Sequence, residues 1–271
     1  YGRYYSAFDD KIHQGVSYND FSLWDTFRAT HPLYHFIQPE RVSPMIQSLI
    51  QLYQEGGWIP KWPNPTYTNI MIGTHADSVI ADAYVKGFRD YDANLAYEAI
   101  RKNAFVPPDC DTQRRWGDRE EGPYYEARGG LTYYHSLGYV PEDRTNESVS
   151  RTIEFSYDDF CVAQMANLLG RVDDYKRLMQ FSQNYRNLYH PETGFFTPRL
   201  FNGNWNPQRD RGFTEGDPWT YRFGALHDIE GMITLMGGNE PFSSALAENF
   251  DAGHYRHDNE PGHHYIYLFN Y

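Results

Sequence analysis

The chain has 271 residues, 40% of them hydrophobic, which is enough to close a sizeable core and excludes a disordered polypeptide. It sets 24 Lys and Arg against 36 Asp and Glu, a formal net charge of -12, so nucleic-acid phosphates and anionic membrane surfaces are excluded as partners. No apolar run approaches the roughly 20 residues of a membrane span, and the aromatic share of 17%, led by 24 Tyr, reads either as a Tyr-rich core or as rings that stack on sugars while their polar tips meet hydroxyls.

The chain opens on Tyr1-Gly2-Arg3 without an initiator Met or a signal-like profile, and both ends read as cuts within a longer polypeptide. Residues 20–28 bring Trp24, Asp25 and Arg28 together ahead of a His31-Pro32 break. A ring beside a carboxylate suits a sugar pocket, and a buried Asp25-Arg28 ion pair at a helix start is the alternative. Residues 41–55 are predicted helical, with Pro44 in the first turn, an apolar stripe through Ile46, Leu49 and Ile50, and Gly56-Gly57 as the stop. Helices follow over residues 76–88 and 92–104. The two cysteines, Cys110 and Cys161, allow one disulfide or two thiols and match no zinc motif. Asn146-Glu147-Ser148 fits the N-glycosylation pattern of an exported glycoprotein.

A helix over residues 152–169 places Glu154 and Asp158 on one face. Such a pair repels unless something cationic or hydrated lies between, and otherwise it forms a solvated outer face. Further helices are predicted over residues 173–189 and 217–236. Long loops rich in Gly, Pro, Asn and Trp span residues 56–68, 107–130 and 191–216, and ordered loops of that length usually carry function. The pattern predicts an all-α fold, a toroid of helical hairpins with the site on one rim, and residues 1–271 read as part of one domain.

Glu215 sits at the mouth of the predicted 217–236 helix among Phe213, Trp219 and Tyr221. Aromatic desolvation would raise its pKa and make it a general acid, whereas the helix N-terminus would lower it and make it a cap. Residues 251–264 gather His254, His257, His263 and His264 with Asp251, Asp258, Asn259 and Glu260. The oxygen donors of the Asp258-Asn259-Glu260-Pro261 turn suit Ca²⁺ better than Zn²⁺, and a metal-free His/Asp network is the other reading.

Five segments in this order resemble the glycoside hydrolase family 92 exo-α-mannosidases: FSLWDTFRATHPL, GGWIPKW with GTHADSVIADAYVKG, TIEFSYDDFCVAQMA, FTEGDPWTYRF with HDIEGMITLMGG, and HDNEPGHHYIYLFNY. The resemblance implies an (α/α)₆ toroid packed on an N-terminal β-sandwich. It also implies a secreted, periplasmic or cell-surface enzyme using Ca²⁺ to release α-linked mannose, with inversion, from mannans or N-glycans. By the same resemblance Glu215 is the general acid, Trp24 and Asp25 contact the terminal mannose, His257 and Asp258 face the leaving sugar, and Asn259 and Glu260 hold the metal. Family members preferring α-1,2 linkages often carry Glu where this chain has Asp258, so the resemblance leaves the linkage open. No segment matches the family's general-base motif DCGQMSAW, so the chain alone is expected to be inactive, the remainder of the parent protein completing the site. Two other functions stay open: a glycan-binding module and a family member acting on mannosyl-phosphate.

Overall fold

The structure, a computed structural model, describes residues 2–119, 125 and 127–271; part of the predicted 107–130 loop, residues 120–124 and 126, lies outside the described residues. A β-hairpin, β1 (Arg3–Ser6) with β2 (Lys11–Gln14), precedes ten α-helices among the described residues. These are α1 (Leu23–Thr26), α2 (Thr30–Ile37), α3 (Pro39–Gly56), α4 (Ala76–Val85), α5 (Ala93–Phe105), α6 (Leu131–Leu137), α7 (Ser148–Leu168), α8 (Val172–Phe181), α9 (Ile229–Leu235) and α10 (Asn239–Asp251). A two-residue-per-strand pairing, β3 (Tyr189–His190) with β4 (Phe195–Phe196), is the other extended element. The fold is all-α, an arc of helical hairpins in which α2 packs on α3, α4 on α5, α7 on α8 and α9 on α10.

Local chemistry sets these boundaries. The Asp92 carboxylate accepts the Asn94 and Leu95 amides and so caps α5. Gly57, at φ 85°, closes α3 in the left-handed conformation that a glycine adopts without strain. The central element is α7. Its C-terminal half gives Val162, Met165 and Ala166 to the core formed with α3, α4, α5 and α8. Its N-terminal half gives Val149 and Ile153 to a second core built on Phe223, Met232, Leu246 and Tyr265.

Four expectations are corrected. His31-Pro32 does not break the chain; it occupies the first turn of α2, where a proline's missing N–H costs nothing. Pro44 lies inside α3, which starts at Pro39. The predicted 173–189 helix stops at Phe181 and continues as a 3₁₀ turn over Asn184–Leu188. The predicted 217–236 helix survives only as α9, because tertiary partners take the backbone groups before it. The Tyr265 hydroxyl accepts the Phe223 amide at 3.1 Å and donates to the Thr220 carbonyl at 2.6 Å, while His264 Nε2 meets the Phe223 carbonyl at 2.8 Å.

Candidate active site

The long loops converge at the N-terminus of α7. The Gly212 carbonyl accepts the Val149 and Ser150 amides at 2.9 and 3.0 Å, satisfying first-turn donors that a helix leaves open. Gly212 has φ 88°, and a Cβ there would lie 2.9 Å from Ser148 Oγ. Two residues on, the Thr214 amide donates to Ser150 Oγ at 2.9 Å, and its hydroxyl donates to Glu147 Oε1 at 3.0 Å. Glu147 Oε2 also accepts the Asp118 amide at 2.9 Å, and the Arg119 amide donates to the Asn69 carbonyl. Three loops are thereby tied to one helix end.

Glu215 follows Thr214 at φ 48°, a left-handed conformation that costs a non-glycine residue energy and is held by these ties. Its side chain is 39% exposed, and no helix begins beside it, so the capping role falls away with the predicted helix. Arg119 Nη2 lies 3.9 Å from Glu215 Oε1. The Asn259 side-chain amide donates to the Glu215 carbonyl at 3.0 Å and to its Oε2 at 3.2 Å, across 44 residues of sequence. Asp25 joins the group electrostatically. Burial, then the negative charge of Glu260, and also that of Glu215, raise its carboxyl above the ordinary range.

The structure thus brings Asp25, Glu215, Asn259 and Glu260 together, and treats the other expected residues differently. Trp24 is 1% exposed, and its indole N–H donates to both Glu154 oxygens at 3.1 Å, so its ring belongs to the interior rather than to an open stacking face. Asp258 is exposed and paired with Arg256 at 2.6 Å, and the guanidinium holds its carboxyl below the usual range. His257 accepts or donates at Nδ1 with the Tyr255 hydroxyl at 2.7 Å. It borders, with Arg28, Glu260 and His263, a cleft of about 720 Å³.

Of the histidines of residues 251–264, His257 and His263 pack together with ring centres 4.8 Å apart, whereas His254 stacks on Trp219 with ring centres 3.7 Å apart and His264 is tied to Phe223. Among the described residues no group of three His, Cys, Asp or Glu side chains is placed to hold a metal. Asn259 Oδ1, which accepts the Glu260 amide at 3.0 Å, and the Glu260 carboxylate are hard oxygen donors that fit Ca²⁺ in kind, with further ligands to come from elsewhere. Cys110 and Cys161 are both free thiols.

Beneath the rim lies a buried cluster that the sequence reading missed. Glu154 and Asp158 do not face solvent. They grip His75, with Nε2 2.9 Å from Glu154 Oε2 and Nδ1 2.9 Å from Asp158 Oδ1. Burial alone would lower this imidazole, but the two carboxylates outweigh it and push it from 6.5 to about 9, so a cation does lie between them. Burial would likewise raise Asp158, but the His75 charge holds its carboxyl below the ordinary range. Arg128, fully buried, binds Asp159 at 2.6 Å, Asp77 at 2.9 Å and Thr74 Oγ1 at 2.9 Å. Burial nevertheless drives Asp77 up to about 7 and Asp159 to about 6. The signal available in sequence was α7 itself, where the small polar residues Ser148, Ser150, Thr152 and Ser156 are interspersed with Val149, Ile153 and Phe155 around the whole circumference, so that no face is left as a run of exposed charges.

The chain belongs to glycoside hydrolase family 92: the model of the family's catalytic domain matches residues 1–271. Its fold superimposes on an inverting mannosidase of that family from Bacteroides thetaiotaomicron with a TM-score of 0.89 and 35% identity, over 99% of this chain and 39% of that one. A family 92 α-mannosidase from the same bacterium gives 0.86 and 34%, over 100% and 36%, and has also been solved with mannoimidazole. An uncharacterized secreted glycosidase from Arthroderma benhamiae is 32% identical over 90% of this chain and 35% of its own length. The chain therefore spans less than two fifths of these relatives.

Proposed function

We propose that the chain is the acid-bearing part of the catalytic domain of an exported, inverting exo-α-mannosidase acting on non-reducing terminal, α-1,2-linked mannose of mannans or N-glycans. The observation that carries this reading is the Asn259 amide lying on Glu215 at 3.0 and 3.2 Å, which joins the expected acid to the expected metal turn. In this reading Glu215 protonates the departing glycosidic oxygen, and its partial exposure lets it reach a sugar bound at the rim. Asp25, half-buried and able to hold a proton or accept one in a hydrogen bond, orients hydroxyls of the terminal mannose. His257 and Asp258 face the leaving sugar, with Arg256 orienting the Asp258 carboxylate. Asn259 and Glu260 would hold Ca²⁺, which when bound supplies positive charge for ring hydroxyls.

An inverting glycosidase needs a second carboxylate about 6.5–9.5 Å from the acid, with room for water. By its resemblance to the family, whose general base lies in a DCGQMSAW-like segment that nothing in residues 1–271 matches, we infer that the base is supplied from elsewhere in the parent protein and that the chain by itself binds without cleaving. Glu215→Gln in the full-length protein tests the assignment: kcat on α-1,2-mannobiose falls by about 10²-fold or more, and retained turnover overturns it. Chelator inactivation reversed by Ca²⁺ supports the metal role of Asn259 and Glu260, and full activity in chelator removes it.

A further inference from the structure

We propose that Glu154 and His75 are positioning residues for the sugar-binding carboxylate Asp25, acting through Trp24 and Phe27. This rests on the reading of Asp25 given above. The helix that carries Asp25, α1, has four residues and no side-chain N-cap. One turn cannot hold itself in place, since nucleation fixes several dihedrals for a single hydrogen bond. Its placement must come from outside: Leu23 and Phe27 pack it into the core, and two directional ties orient it.

The first is the indole N–H of Trp24, shared between both oxygens of Glu154 at 3.1 Å. The second is the Phe27 ring, stacked on the His75 imidazole with centres 4.1 Å apart and planes 15° from parallel. Arg28 locks the same turn from the other end, its Nε donating to the Trp24 carbonyl at 3.2 Å and its guanidinium lying over both the Trp24 and Phe27 rings. Asp25 sits between the two tied rings. Phe27 and Arg28, at the end of the same turn, line the cleft of about 720 Å³ together with His257 and Glu260, so this turn borders the rim site. His75 in turn is fixed by Asp158, and the chain passes so close to the clamp at Gly73 that a Cβ there would lie 2.6 Å from His75 Nε2. Glu154 and His75 therefore set where Asp25 stands without touching the sugar themselves.

The experiment compares Asp25→Asn, Glu154→Ala, Glu154→Gln and the Asp25→Asn/Glu154→Ala double variant in the full-length protein. It reads kcat and KM on α-1,2-mannobiose, mannoimidazole affinity and the melting temperature. Glu154→Ala is expected to weaken mannoimidazole binding by about tenfold, the loss of one well-placed hydrogen bond from the site. KM rises accordingly, and the double variant is no weaker than Asp25→Asn alone because both act through one group. Glu154→Gln restores binding to within about threefold, since the amide oxygen still accepts the indole N–H and the amide nitrogen can donate to a neutral His75. Additive losses, or normal binding in a folded Glu154→Ala protein while Asp25→Asn is impaired, would overturn the positioning role alone. Normal binding in Asp25→Asn would overturn the sugar-binding reading and this role with it. Should Glu154→Ala fail to fold, Trp24→Phe removes the same N–H, and the same non-additivity with Asp25→Asn is required.

Discussion

The sharpest consequence of the buried clamp is alkaline. His75 titrates at about 9 in the folded chain against an ordinary 6.5, so the folded state binds its proton more tightly than the unfolded state does. A raised pKa of this kind contributes stability that is complete below 6.5 and lost as pH climbs through about 9. The whole difference corresponds to about 3 kcal/mol, of which about 2 kcal/mol disappears between about pH 7 and about pH 9.5. Urea unfolding followed by tryptophan fluorescence at those two pH values measures it directly. The Cys161 thiol and buried tyrosines such as Tyr134, Tyr157 and Tyr221, all raised well above their ordinary values by burial, would add losses of the same sign near the upper limit, so the His75 share is the part of the fall that a His75→Gln variant lacks. The Asp159 carboxyl, raised to about 6, is mostly ionised before the window opens, whereas Asp77, raised to about 7, is half titrated at its lower edge and adds a smaller loss of the same sign. Equal stability at the two pH values, or a His75 ring seen by NMR to titrate near 6.5, would refute a charged imidazole held between Glu154 and Asp158.

The acid side has the opposite origin. Burial lowers His31, His135, His227 and His264 to about 4, so their contribution is present above 6.5 and lost as pH falls through about 4; unfolding midpoints at about pH 6.5 and about pH 4.5 should show a fall. Arg128→Met should lower stability by about 3–5 kcal/mol in thermal melts, because it strands Asp77 and Asp159 without their cation. A melting temperature unchanged by that substitution would mean that both carboxyls are protonated at neutral pH.

Helix patterning made α3, α4, α5 and α7 legible to within a few residues: α3 and α5 bury one apolar stripe, while α4 and α7 are buried nearly all round and α7 is bounded by Gly170. Periodicity overran at residues 217–228, whose apolar spacing is helical but where Tyr265 and His264, from far along the chain, take the Phe223 amide and the Thr220 and Phe223 carbonyls. It also missed α6 and α10, the first too short and the second too polar to show a stripe. In the site, Asp25, Glu215, Asn259 and Glu260 were legible as polar residues in unusual surroundings. The clamp was not. Glu154 and Asp158 looked like a solvated pair because their partner, His75, is about 80 residues away and nothing local marks it as a cation.

Buried charge of this density needs a physical reason, since apolar packing of the same volume would be as stable or more so. The reason follows from what α7 anchors. Glu215 is referred to this helix through Thr214, Ser150 and Glu147, and Asp25 is referred to it through Trp24 and Glu154. Residues more than 180 apart in sequence are thereby measured against one rigid rod, with its own position fixed by His75 and Arg128 in addition to its packing in both cores. Directional bonds to charged groups resist the sub-ångström drift that apolar contacts allow. The proposed proton donor Glu215 and the proposed sugar-binding carboxylate Asp25 must keep their separation to within such a drift if a glycosidic bond is to be presented in reactive geometry. The clamp is therefore a device for precision, and the four free energy-costly carboxylates inside it are the consequence of placing that device beneath the rim.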